Sequence, residues 1–169
     1  KNIYFLEGDT MLTSILSRSQ CAECRICCEF DSYDLWEAPV ITPEVEEKIT
    51  SEVLPQQEFI PKGKCKLLKL KREENEDLYY CTLLSEEGCK LGINKPFDCQ
   101  IWPFRVMDFN SKRVISISPV CPSLYEKSLK ELVECAKNIS PIIFEMADKY
   151  PEIVKPYMIG YPILYVENN

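Results

Sequence analysis

The sequence predicts an α+β fold in which short antiparallel strands and irregular cysteine-bearing loops pack on C-terminal helices. Three observations point there. Apolar residues alternate loosely between residues 65 and 118, helical spacing takes over after Cys121, and nine of the ten cysteines lie at or before Cys121. A chain of 169 residues, 46% of them hydrophobic, fits one domain (1–169) able to bury a core of its own. Within it, residues 21–122 form the cysteine region and 123–169 a helical buttress.

Taken in order, residues 10–19 suit a short helix capped by Asp9 or Thr10, and the aromatic stretch 30–36 reads as loop with a single turn. Thr42-Pro43-Glu44 opens a helix, with a hydroxyl cap, proline at the first helical position and acids in the first turn; Pro55 ends it by Leu54. Segments 65–70 and 78–84 alternate and suit a hairpin across the polar residues between them. Segments 104–109 and 113–118 repeat the pattern across Asn110-Ser111-Lys112. Ser123 then caps a helix carrying Leu124, Leu129, Leu132, Val133 and Ala136, and Ser140-Pro141 opens a second that ends near Tyr150-Pro151. Residues 161–166 read as an edge strand or a packed extended segment, with Pro162 tolerated at the start.

The charge balance disfavours nucleic acid as a partner. The 27 acidic residues exceed the 20 basic ones, a net charge of −7, whereas phosphate-backbone binders carry surplus Lys and Arg. No apolar stretch approaches the roughly 20 residues of a membrane span, and no secretory leader is evident at the Lys1 start. These features predict a cytoplasmic protein with reduced thiols and no membrane partner.

The most specific pattern is Cys21-Ala22-Glu23-Cys24-Arg25-Ile26-Cys27-Cys28, in a chain without histidine. Thiolates two residues apart turn toward a common metal, because a short loop brings the sulfurs together while its amides point inward. Cys21, Cys24 and Cys27 reproduce the three-ligand spacing of ferredoxin-like loops. Neighbouring side chains diverge, so Cys27 and Cys28 suit two adjacent centres, or one multinuclear cluster, better than a single tetrahedral ion. Downstream come Cys65, Cys81, Cys89, Cys99 and Cys121. Cys135, on the apolar face of a predicted helix, reads as an inert core thiol and is excluded from the site.

These elements resemble the YkgJ-like cysteine-cluster family, the zinc- or iron-chelating CxxCxxCC domain, distantly related to flagellin lysine N-methylase. The resemblance rests on the octet, Cys65-Lys66-Leu67, the pair Cys81 and Gly88-Cys89, Lys95-Pro96-Phe97-Asp98-Cys99 with Trp102-Pro103, and Cys121-Pro122. It covers residues 21 to about 122 and implies metal chelation. With five glycines and no Gly-rich methyl-donor loop, methylation is not carried over.

The expected cofactor is one or more iron–sulfur clusters of the [4Fe-4S] type, with zinc as the alternative and disulfides or copper(I) behind it. Two four-ligand centres would use Cys21, Cys24 and Cys27 with one later cysteine, and Cys28 with three of Cys65, Cys81, Cys89 and Cys99. Cys121 is a ninth candidate metal ligand. Arg25, Lys95 and Arg105 are candidates to offset thiolate charge; Glu23, Glu29 and Asp98 are candidate oxygen ligands. The function expected is redox, electron transfer with a partner protein, or metal handling. A zinc-stapled module without turnover is the alternative, and an enzyme with an open metal site a further one. Lack of histidine removes the commonest general base.

Overall fold

A computed structural model describes residues 23–32 and 35–168. The expected helix over 10–19 and Cys21 lie outside the described residues.

Along the chain, β1 (Glu29–Phe30) and β2 (Val40–Ile41) precede helix α1 (Pro43–Lys48), which runs into a π turn over Ile49–Val53. The Leu54 amide closes it onto the Ile49 carbonyl just before Pro55, where the sequence predicts the stop. Next come β3 (Phe59–Lys62), β4 (Cys65–Leu68), β5 (Tyr79–Tyr80), β6 (Leu84–Ser85), β7 (Gly88–Cys89) and the short helix α2 (Phe97–Gln100). The hairpin β8 (Phe104–Phe109) and β9 (Lys112–Ile117) leads to the long helix α3 (Leu129–Lys149), and β10 (Lys155–Pro156) and β11 (Ile163–Val166) complete the chain. The fold is thus α+β with short, mostly antiparallel strands. Among the described residues no helix is long and apolar enough to cross a membrane.

The β8–β9 hairpin is the expected one. Asn110 and Ser111 both take positive φ, 53° and 61°, the two-residue geometry whose twist matches the flanking strands. β11 joins β9 antiparallel and β10 joins β8 parallel, in the order β10-β8-β9-β11. Alternation divides this sheet's two faces. Phe104, Val106, Ile115 and Ile117 share a core with Leu132, Cys135, Ala136, Ile139 and Ile143 of α3, whose spacing is that of a single helical stripe. Arg105, on the opposite face by register, belongs to a buried polar network. The 123–169 segment is therefore not helical throughout, because its last strands return to the sheet.

Two expectations are corrected. The C-terminal region holds one long helix instead of two, and Ser123 lies in a separate turn over Pro122–Leu124. Ser128 is the cap: its side chain accepts from the Glu131 amide while Glu131 Oε2 accepts from the Ser128 amide at 2.8 Å. Pro141 sits inside the helix, where it cannot donate to the Lys137 carbonyl four residues back. Ser140 Oγ donates to that carbonyl instead, at 2.9 Å, so the helix continues where the proline signal predicts a break.

The second correction concerns strand partners. Segment 65–70 does not form a hairpin with 78–84: β4 pairs with β3 and β2, while β5 pairs with β1. A single bridge between Lys71 and Tyr80 links the two segments. The reason is loop length. Gly63, at φ 58°, closes β3 onto β4 in a tight turn, a more local closure than one spanning the acidic segment 73–77. Residues 78–84 are left to pair with the strand that follows Cys28.

Candidate functional site

That strand exchange brings the cysteines together. With β5 against β1, the Cys81 amide donates to the Cys28 carbonyl at 2.9 Å, so the two residues share one rim. Arg25, at φ 57°, turns the chain into the Ile26–Cys28 turn, and its Nη2 donates to the Glu86 carbonyl at 2.7 Å. The octet is thereby tied to the loop between β6 and β7. β7 presents Cys89 and α2 presents Cys99. Cys27, Cys28, Cys81, Cys89 and Cys99 all line one cavity of about 90 Å³, several times the roughly 10–15 Å³ that one water requires. Lys95, Trp102 and Pro39 share its wall.

The sulfurs interact in a chain. The Cys27 thiol donates to Cys28, which together with burial and the nearness of Cys28 pushes Cys27 far above the usual thiol range; Arg105 and Lys95 act against this. The bond from Cys27 lowers Cys28, but donation to Cys81 and burial outweigh it and push Cys28 up to about 12. Burial raises Cys99, and neighbouring Cys28, Cys27 and Cys89 raise it further. Cys89 is raised by burial but receives the amides of Leu91 and Gly92, with Lys95 nearby. Gly92 takes φ 56°, the left-handed turn that lets the amides point at this sulfur. Inward amides of this kind are what a thiolate ligand loop supplies.

Among the described residues, the other predicted ligands Cys24, Cys65 and Cys121 do not line this cavity. Cys24 is exposed and Cys21 lies outside the described residues. Cys65 is buried on β4, where its Sγ donates to Glu152 Oε2 at 3.7 Å. Burial and the Glu152 carboxylate push this thiol up to about 11. Cys65 does not line the cavity. Cys121 is buried in the core shared with α3, as is Cys135, and neither lines the cavity. None of the described cysteines is in a disulfide.

Behind the cavity wall lies a buried ion network that only folding assembles. Asp98, 2% exposed, accepts from the Val40 amide at 3.0 Å and lies 3.4 Å from Lys155 Nζ. Asp98 is thereby engaged away from the thiols, and Glu29 is exposed on β1. Lys155, 1% exposed, also donates to the Trp36 and Ala38 carbonyls. Burial lowers its pKa, with Asp98 acting against the fall. Arg105 donates through Nη1 to the Asp98 carbonyl and through Nη2 to Glu37 Oε2, while Tyr161 Oη donates to the other Glu37 oxygen. Sequence alone does not single out Glu37 or Lys155, since neither stands in a motif. Their partners lie far away along the chain.

Among the described residues, no group of three or more His, Cys, Asp or Glu side chains stands at the spacing that holds a metal ion. No family profile, curated protein or solved structure matches this chain.

Proposed function

We propose that Cys27, Cys28, Cys81, Cys89 and Cys99 hold a thiolate-ligated metal cluster, iron–sulfur in type, that serves redox chemistry or metal handling. The observation that carries this reading is the convergence of five cysteines, from four separate segments, on one cavity. The donor set fits such a group. It is wholly sulfur, it has inward amides at Cys89, and Lys95 and Arg105 offset negative charge at Cys27. A cavity of about 90 Å³ shared by five thiols favours a multinuclear group over one tetrahedral ion, which takes four ligands. The spacing resemblance to cysteine-cluster proteins supports the same reading.

Loading requires the thiols to exchange their mutual hydrogen bonds for ligation and to lose protons, as metal binding to cysteine does generally. When bound, a cluster supplies one-electron chemistry. The protein's part is to hold the sulfurs, to place Trp102 and Pro39 against water, and to keep Lys95 beside the developing thiolates.

Anaerobic purification followed by elemental analysis, acid-labile sulfide and visible spectroscopy tests this. Iron with sulfide and a colour that bleaches on reduction is expected. Stoichiometric zinc in colourless protein replaces the reading by a zinc staple, and protein without either metal rejects both.

A further inference from the structure

We propose that Cys28 and Cys81 form a reversible disulfide by exchange with a low-molecular-weight disulfide, and that this cross-link closes the thiol cavity to metal. The second half of the proposal rests on the cavity being a metal site; the first does not.

Strand pairing sets the two residues face to face. In the antiparallel register of β1 and β5, Glu29 stands opposite Tyr80 and Phe30 opposite Tyr79, so one step further Cys28 stands opposite Cys81. The Cys81 amide donates to the Cys28 carbonyl at 2.9 Å, which extends the pairing to this step. Residues directly opposite across an antiparallel pair have Cα atoms about 4.5–5.5 Å apart, inside the roughly 4.4–6.8 Å that a disulfide spans. Their sulfurs already meet, since the Cys28 thiol donates to Cys81. Cys27 also touches Cys28, but consecutive Cα atoms are only about 3.8 Å apart, below that span. Cys81 is thus the better-placed partner for Cys28.

Cys81 also has an outlet that Cys28 lacks. It lines both the thiol cavity and a surface groove of about 560 Å³ beside Gln57, Tyr80 and Lys90, whereas Cys28 does not line that groove. A small disulfide RSSR arriving in the groove therefore meets Cys81 first. The Cys81 thiolate attacks one sulfur of RSSR, breaking its S–S bond and releasing one RS⁻. The Cys28 thiolate then attacks the Cys81 sulfur of the mixed disulfide and releases the second. The two protons lost by the protein end on two RSH, and the two electrons lost by its thiols reduce RSSR. Closure removes two of the five sulfurs and leaves Cys27, Cys89 and Cys99. Three fall short of the four thiolates that an all-cysteine zinc site or a [4Fe-4S] cluster takes.

For the test, the full chain, stripped with a chelator, reduced and desalted without air, is incubated with oxidised glutathione, digested and mapped by tandem mass spectrometry. The expected product joins Cys28 to Cys81, with two glutathione molecules released per chain. Cys28→Ser is expected to stop at a glutathione adduct on Cys81, and Cys27→Ser to close the link as the parent does. A link between another pair, or no link in the parent, overturns the proposal. Zinc(II), which needs no reductant, then probes the gate: the reduced chain is expected to take it up, the oxidised chain to lose that uptake, and dithiothreitol to restore it. Equal uptake by both forms overturns the gate. Uptake by neither form sinks the metal reading and the gate with it, while the mapped link still supports the cross-link.

Discussion

The Arg105 guanidinium lies 4.4 Å from the centre of the Trp102 ring while donating to the carbonyl of Asp98, the residue before Cys99. One cation thus steadies both a wall residue of the thiol cavity and the backbone leading into one of its thiols. Arg105→Met strands the Glu37 charge in a buried site and is expected to cost about 3–5 kcal/mol of unfolding free energy. Arg105→Lys should fall between it and the parent protein, since it keeps the charge and loses the planar fork. Adding Glu37→Gln to Arg105→Met should recover part of the loss. Urea unfolding reads all of these, and an Arg105→Met protein as stable as the parent rejects the ion pair as a support of the fold.

The Ser140 hydroxyl substitutes for the amide that Pro141 lacks. Ser140→Ala is expected to cost about 1 kcal/mol. Pro141→Ala restores the amide and should stabilise the helix by up to about 3 kcal/mol. In that second background the serine substitution should cost less. A double-mutant cycle by thermal unfolding measures the coupling, and strict additivity would show that the hydroxyl does not stand in for the missing amide.

Gly63 combines φ 58° with a close neighbour: an added Cβ would lie 2.2 Å from Glu152 Oε1, the oxygen that accepts from the Lys64 amide. Gly63→Ala is expected to destabilise by more than about 1 kcal/mol. Combined with Glu152→Ala, only the backbone part of the penalty should remain. Denaturant midpoints of the two pairs, each against its own glycine parent, decide whether the carboxylate is the obstacle.

Partial burial raises the Glu44 carboxyl, but donation from Tyr150 Oη and Lys149 Nζ outweighs it and holds the group at about 2. Because the folded value is depressed, this contribution is present above the unfolded value of about 4.3 and is lost as pH falls toward 2. Its size is modest, since Glu44 is largely exposed. Glu44→Gln should flatten stability against pH across that window and leave the slope near neutrality unchanged. A curve identical to that of the parent protein would remove Glu44 from the acid response.

Four serine replacements separate cavity thiols from core thiols. Cys89→Ser and Cys99→Ser should lower bound metal, whereas Cys65→Ser and Cys135→Ser should retain it. Elemental analysis of each purified variant is the measurement. Metal loss in Cys65→Ser equal to that in Cys99→Ser would return Cys65 to the ligand set.

Local signals made much of this fold legible. Asn110-Ser111 between two alternating runs specifies its hairpin, and Thr42-Pro43 with Pro55 brackets α1 and its π turn. Cysteine clustering marks the thiols that converge. What escaped is what depends on competition or distance. The β4 segment had two available partners, and the nearer, glycine-closed turn prevailed. Pro141 is a break signal whose remedy is one hydroxyl away, and periodicity is blind to that remedy. Cys65 looks like a ligand by spacing, yet its position opposite Glu152 is set by the arrival of a residue 87 positions later. Lys155 gives no sign in sequence that it will be buried beside Asp98.

That buried lysine has a temporal consequence. Ribosomes deliver the amino end first, so all five chamber thiols emerge before Lys155 does. Until it arrives, Asp98 lacks its counter-ion and the carbonyls of Trp36 and Ala38 lack their donor. The chamber takes its final shape only once Lys155 has been made, 56 residues after Cys99, the last of its five thiols.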